Sequence, residues 1–228
     1  MDWRLDNICV YCGAPANTRD HVPSKCFLDE PYPDNLRVVP CCSKCNNLFS
    51  KDEEYVSCFI DCINEGVDSP LKVSRLKTRK ALDHSTKLAE EIKSEINPFE
   101  NGIKYNYNSL RFKQVMFKLA YGHLAYENST LSFDSKYQVR LGIIEQIDEH
   151  ALSVFEKPYY SELLPEVGSR SLSKLGGFLI QEGYSGFKCF STWQEIQNKR
   201  YRYCVAPDSN RIKIVIAECL AIEVVLYD

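Results

Sequence analysis

No run of apolar residues in this chain is long enough to cross a membrane. The nearest, Ile212 to Tyr227, is interrupted by Lys213, Glu218 and Glu223. Internal repeats and low-complexity tracts are also missing, which sets aside solenoids and disordered arrays. Charge of one sign is not in excess: 28 basic and 31 acidic residues leave a net charge of -3, with a pI of about 5.9. A surface for nucleic acid must then be a local patch and not a global field. The start, Met1-Asp2-Trp3-Arg4, carries no apolar signal segment, so the expected location of this protein with eleven cysteines is the reducing cytoplasm. What remains is an ordinary soluble composition, 44% hydrophobic and 26% charged over 228 residues. That length suits one large domain or two small ones with a real core.

Residues 9 to 54 hold the densest chemistry. Cys9-Val10-Tyr11-Cys12 and Cys42-Ser43-Lys44-Cys45 are two Cys-x2-Cys pairs with 29 residues between them. Thiolates so spaced suit one tetrahedral zinc ion. Cys41 is the alternative to Cys42, but only Cys42 keeps the two-residue spacing to Cys45. Between the pairs lies Thr18-Arg19-Asp20-His21-Val22-Pro23, then Asp34-Asn35-Leu36; Asn46 and Asn47 come directly after the last cysteine. A structural zinc has no need of Asp20 and His21. They point to a second, catalytic centre.

The order Cys-x2-Cys, Asp-His-x-Pro, Asp-Asn-Leu, Cys-x2-Cys-Asn resembles the HNH endonucleases of the ββα-metal, or His-Me finger, class, in their zinc-bearing four-Cys branch. The resemblance covers about the first quarter of the chain. It implies a treble-clef-like hairpin and helix holding one divalent metal over a phosphodiester. It makes Asp20 a metal ligand and His21 the general base that activates water. Asn35 becomes the residue that ties the hairpin loop, and Asn46 (or, less aptly, Asn47) the second metal ligand. Oxygen ligands of this kind suit Mg²⁺ or Mn²⁺. The implied activity is DNA hydrolysis, as in restriction or phage defence, leaving 5′-phosphate and 3′-hydroxyl ends. An RNA-directed nuclease and a non-catalytic zinc module that binds nucleic acid or protein are the alternatives. Adjacent residues of a strand point to opposite faces, so Asp20 and His21 serve one phosphate only where the strand is distorted or ends.

The rest of the chain reads as α+β. Short strands are expected at Thr18 to Val22 and Leu36 to Val39. A helix comes next, with Leu48, Phe49, Val56, Phe59, Ile60 and Ile63 on its apolar face and Asp52, Glu53 and Glu54 on or near its exposed side. A second helix is expected from Leu71 to Ile96, a turn at Asn101-Gly102 and a third helix from Leu110 to Tyr126. A strand near Tyr137 to Ile143 precedes a short helix. Pro158, Pro165 and Gly168 mark loop, and Gly176-Gly177, Gly183 and Gly186 punctuate the stretch after it. Arg202 to Ala206 and Arg211 to Ala217 form a hairpin around Pro207-Asp208-Ser209-Asn210, and Leu220 to Tyr227 is a last strand. The expected organisation is a nuclease module over 1–66, a basic helix and linker over 67–100, and an α+β region over 101–228 that recognises substrate, senses a ligand or forms a homodimer or partner contact. Lys72, Arg75, Lys77, Arg79 and Lys80, with no acid between Leu71 and Lys80, are either a solvated helix face or a phosphate-binding surface. Cys58 and Cys62 are expected as buried free thiols. His84, His123 and His150 have ordinary surface or core roles, and Tyr105, Tyr107 and Tyr121 belong to the core.

Overall fold

The computed structural model describes residues 6–100, 102–129, 131, 133, 136–162, 175–180, 187–207 and 211–227. Local chemistry shapes the N-terminal end. At Cys9 the chain turns back on itself: the Gly13 N–H donates to Cys9 O at 2.9 Å and the Cys9 N–H to Ala14 O at 2.7 Å. The turn needs Gly13 at φ +73°, where a side chain is disfavoured. Strands β1 (Thr18–Val22) and β2 (Arg37–Cys41) then pair antiparallel, Thr18 against Cys41 and Val22 against Arg37. Helix α1 (Ser43–Asn64) starts directly after β2, with Cys42 as its N-cap. Val56, Phe59, Ile60 and Ile63 are buried along it as expected, and so are Cys58 and Cys62; Tyr55 is buried with them. Leu48 is 65% exposed, and Glu53, expected toward solvent, is buried.

The helix expected over Leu71 to Ile96 is two: α2 (Leu76–His84) and α3 (Thr86–Glu95). Ser85 is extended at φ -127° and ψ 90°, and its side chain accepts the Leu88 N–H. A serine N-cap starts the second helix here, where the apolar periodicity alone reads through. Strands β3 (Ile96–Phe99) and β4 (Gly102–Tyr105) form a hairpin; Asn101 of the expected turn lies outside the described residues.

Helix α4 (Ser109–Asn128) organises the centre. Asn108 caps it, accepting from the Leu110 and Arg111 N–H groups. Its buried residues include Phe112, Val115, Met116, Leu119, Tyr121 and Leu124, and also Lys118, His123 and Glu127. A helix buried on most sides lies between layers. It touches α1, β1 and β2, and also the sheet formed by the C-terminal strands.

Strand β5 (Lys136–Ile143), helix α5 (Glu149–Glu156) and strand β6 (Tyr160–Ser161) come next, then β7 (Leu175–Ile180), β8 (Phe187–Ser191), β9 (Gln194–Gln197), β10 (Tyr201–Val205), β11 (Arg211–Ile216) and β12 (Leu220–Tyr227). One sheet has the order β5-β12-β11-β10-β9, another β6-β8-β7. Gly176 and Gly177 fall within β7. Pro165, Gly168, Gly183, Gly186 and the expected turn residues Asp208 to Asn210 lie outside the described residues. The chain is thus mixed α/β, with a main buried apolar cluster that draws on residues from Phe27 to Leu226. His123 is a core residue whose Nε2 lies 2.9 Å from the Tyr201 hydroxyl, while His84 and His150 are exposed. Tyr105, Tyr107 and Tyr121 pack in or against the core.

The basic stretch is partly spent inside the fold. The Arg75 guanidinium pairs with Asp29 at 2.7 Å and Asp61 at 2.9 Å, and donates to the Leu28 and Cys26 carbonyls. Arg200 reaches the same Asp61 at 3.1 Å. Lys77 donates to Lys25 O at 2.5 Å and to the Tyr32 hydroxyl at 2.8 Å, and Lys72 pairs with Asp68. Arg79 and Lys80 stay exposed. A guanidinium taken into the fold needs carboxylates beside it, and Asp29 and Asp61 supply them. Arg75 and Lys77 therefore do not form part of an open phosphate-binding face.

Candidate metal centre and adjoining cleft

Cys9, Cys12, Cys42 and Cys45 bring their sulfurs within 4.8 Å of one another. Around zinc, with Zn–S about 2.3 Å, tetrahedral sulfurs lie roughly 3.8 Å apart; Cys12 Sγ and Cys42 Sγ are 3.7 Å apart. The first pair comes from the Gly13 turn and the second from the first turn of α1. There the Cys45 N–H points at Cys42 Sγ at 3.4 Å and the Asn46 N–H at Cys42 O at 3.0 Å. The Cys45 N–H draws the Cys42 thiol down to about 7, while burial and the neighbouring sulfurs push Cys45 up. A divalent cation at the centre reverses the second effect, because it stabilises every thiolate at once. The group can hold a structural metal such as zinc. Cys41 stands outside it: its thiol donates to Cys42 O at 3.2 Å and burial holds it protonated.

Beside this centre lies a cleft of about 380 Å³. Asp20, His21, Ser24, Lys25 and Cys26 bound it where the chain leaves β1, and Ser50, Lys51, Glu53 and Glu54 bound it from α1. The β1–β2 register has no shift, so Asp20 and His21 do start on opposite faces of the strand. Both nonetheless line the cleft. His21 is half-buried and its pKa is lowered, first by burial, then by the Lys25 charge, with Asp20 opposing. It is therefore neutral at pH 7 and free to take a proton. Lys25 and Lys51 are exposed at the rim.

Behind His21 the carboxylates are engaged. The Tyr11 hydroxyl donates to Asp20 Oδ2 at 2.8 Å. Lys118 Nζ, from α4, lies 2.8 Å from the same oxygen and 2.5 Å from Glu53 Oε1. Ser24 also donates to Glu53 Oε1. Burial works against the Lys118 charge, but Glu53 and Asp20 more than offset it, so its pKa is raised. Burial pushes the Glu53 carboxyl up, opposed by Lys118.

The other residues singled out from sequence lie apart. Asn46 sits half-buried on the first turn of α1, its Nδ2 3.5 Å from Thr18 Oγ1, and does not line the cleft. Asn47 is exposed. Asn35 is exposed just ahead of β2. Among the described residues, only the four cysteines form a cluster of three or more His, Cys, Asp or Glu ligands. The side chains present therefore do not fit Mg²⁺ or Mn²⁺ held by Asp20 and Asn46: Asp20 faces an ammonium and Asn46 is outside the cleft.

Sequence reasoning missed Ser24, Lys25, Ser50, Glu53 and Lys118. Two signals were present. Asn46, Ser50 and Glu53 are spaced four and three apart, which puts them on one helix face. Lys118 interrupts the apolar run Val115-Met116-Phe117 and Leu119-Ala120, and a lysine so placed needs a buried acid.

No protein-family model, curated protein or solved structure matches the chain. Among the described residues no helix is long and apolar enough to cross a membrane.

Proposed function

We propose that the chain is a phosphodiester hydrolase of the HNH kind acting on DNA, with His21 as its general base. One observation carries this: a neutral imidazole faces a cleft whose rim carries Lys25 and Lys51, beside a four-cysteine centre. In the step proposed, His21 takes a proton from water as the water oxygen bonds to phosphorus. The bond from phosphorus to the 3′ oxygen breaks, and that oxygen takes a proton from solvent. Lys25 and Lys51 offset the charge of the phosphate. Zinc at the four cysteines holds the hairpin against α1 and takes no part in the chemistry.

A second reading has its own support. Asp20, the ligand on which metal-dependent cutting would depend, is already paired with Lys118, which favours a zinc module that binds nucleic acid without cutting it. One experiment separates the two. Wild type and His21→Ala are incubated with plasmid DNA, single-stranded DNA and RNA, in Mg²⁺, Mn²⁺ or EDTA. Cutting by wild type and not by His21→Ala supports the hydrolase, and the substrate arms distinguish DNA from RNA. Binding without cutting under every condition supports the module.

A further inference from the structure

We infer that Lys118 is the resident cation of the cleft, standing where a divalent ion would otherwise sit between Asp20 and α1. Its side chain is 1% exposed, and its Nζ lies 2.8 Å from Asp20 Oδ2, 2.5 Å from Glu53 Oε1 and 3.1 Å from Ser24 Oγ. An ammonium has three donors, and here three oxygens receive them. The Tyr11 and Phe49 rings close two further sides, each with its centroid 5.8 Å from Nζ.

Magnesium or manganese would need the same carboxylate oxygens at about 2.0 to 2.6 Å. The ammonium already occupies the space between them, and two cations sharing those oxygens repel each other. Lys118 is also anchored deep in α4, among Val115, Leu119 and Tyr121, all buried, so it has nowhere to withdraw. Without it, two carboxylates would face each other beside a cleft proposed to take a polyanion. With it, one of the two charges is cancelled and both side chains are fixed. Lys118 has no donor left for substrate, so it is a positioning residue that acts through Asp20 and Glu53. The raised Lys118 pKa agrees with a permanent charge.

Cation occupancy can be read directly, so this inference stands or falls apart from the hydrolase reading. Zinc-loaded full-length protein is titrated with Mn²⁺ and the free ion is measured by electron paramagnetic resonance. Zinc keeps the thiolate site, because manganese prefers oxygen ligands. Wild type is expected to show no saturable uptake through the millimolar range. Lys118→Met keeps the length of the stem without the charge, and is expected to take up one Mn²⁺ per chain; adding Asp20→Asn should abolish that uptake. Saturable uptake by wild type that Asp20→Asn removes would overturn the inference. So would a folded Lys118→Met that takes up none. If Lys118→Met does not fold, wild type beside Asp20→Asn decides alone.

Discussion

Gly122 of α4 lies against Val22 of β1 so closely that a methyl group at position 122 would come within 2.9 Å of Val22 Cγ2 and 3.0 Å of the Tyr11 hydroxyl. Neither neighbour can retreat: Val22 is buried and Tyr11 is bonded to Asp20. Gly122→Ala should destabilise the protein by about 1–3 kcal/mol, the usual cost of overpacking, despite the better helix propensity of alanine. Urea unfolding checks this. Val22→Ala in the same chain should return part of the loss; simple additivity of the two changes would count against the contact.

Removing one cysteine tests the metal centre. Purified protein is expected to carry one zinc per chain, and Cys42→Ser to lose it together with protection of the β1–β2 amides from exchange, because ligation is part of the folding free energy there. Elemental analysis and hydrogen exchange report the two effects. Cys41→Ser is expected to keep the zinc, since Cys41 lies outside the four-sulfur group.

His21→Ala should leave zinc, fold and nucleic-acid affinity in place and lower cleavage by about 10²- to 10⁴-fold, the usual worth of a positioned base. Burial and Lys25 hold the His21 pKa below 6.5. Cleavage by wild type should therefore stay level above pH 6.5 and fall as the pH drops through that lowered value. Stability shares the sign. The unfolded chain takes up the proton first, so the unfolded state gains on acidification below about 6.5. A pH–rate profile with no fall on its acid side would rule His21 out as the base.

Arg75 should behave as a core residue. Arg75→Met leaves Asp61 with Arg200 as its one remaining cation, so stability should fall, by less than the roughly 3–5 kcal/mol that stranding a buried charge alone costs. Denaturant unfolding should show that loss. The salt dependence of DNA binding should keep its slope, because Arg75 is turned to Asp29, Asp61 and two carbonyls. A flattened slope would place Arg75 on the phosphate backbone instead.

Legibility in the sequence tracks contact range. The cysteine pairs, the strand at Thr18 to Val22, the α4 helix and the last strand all rest on spacing or periodicity within a few residues, and each is present. The break at Ser85 is harder to read, because a capping serine competes with an apolar pattern that continues on both sides. Glu53 looks like one more acid in Asp52-Glu53-Glu54. Lys118, sixty-five residues away, and Ser24 make its burial tolerable. Arg75 is ambiguous for the same reason: four cations nearby suggest a surface, and the carboxylates that bury it lie at Asp29 and Asp61.

Asp61, shared by Arg75 and Arg200, has a consequence for dissection. A fragment ending at residue 66 would keep all four cysteines and the Asp20–His21 pair. It would lose Arg75, Arg200 and Lys118 together, leaving Asp61, Asp20 and Glu53 as carboxylates without these counterions. It would also bare the face of α1 where Tyr55 and Phe59 meet Phe112. The motif-bearing quarter of the chain is thus no portable cassette. Any lineage that transplanted it would have to bring α2, α4 and the approach to β10 along, or invent new cations for the same acids.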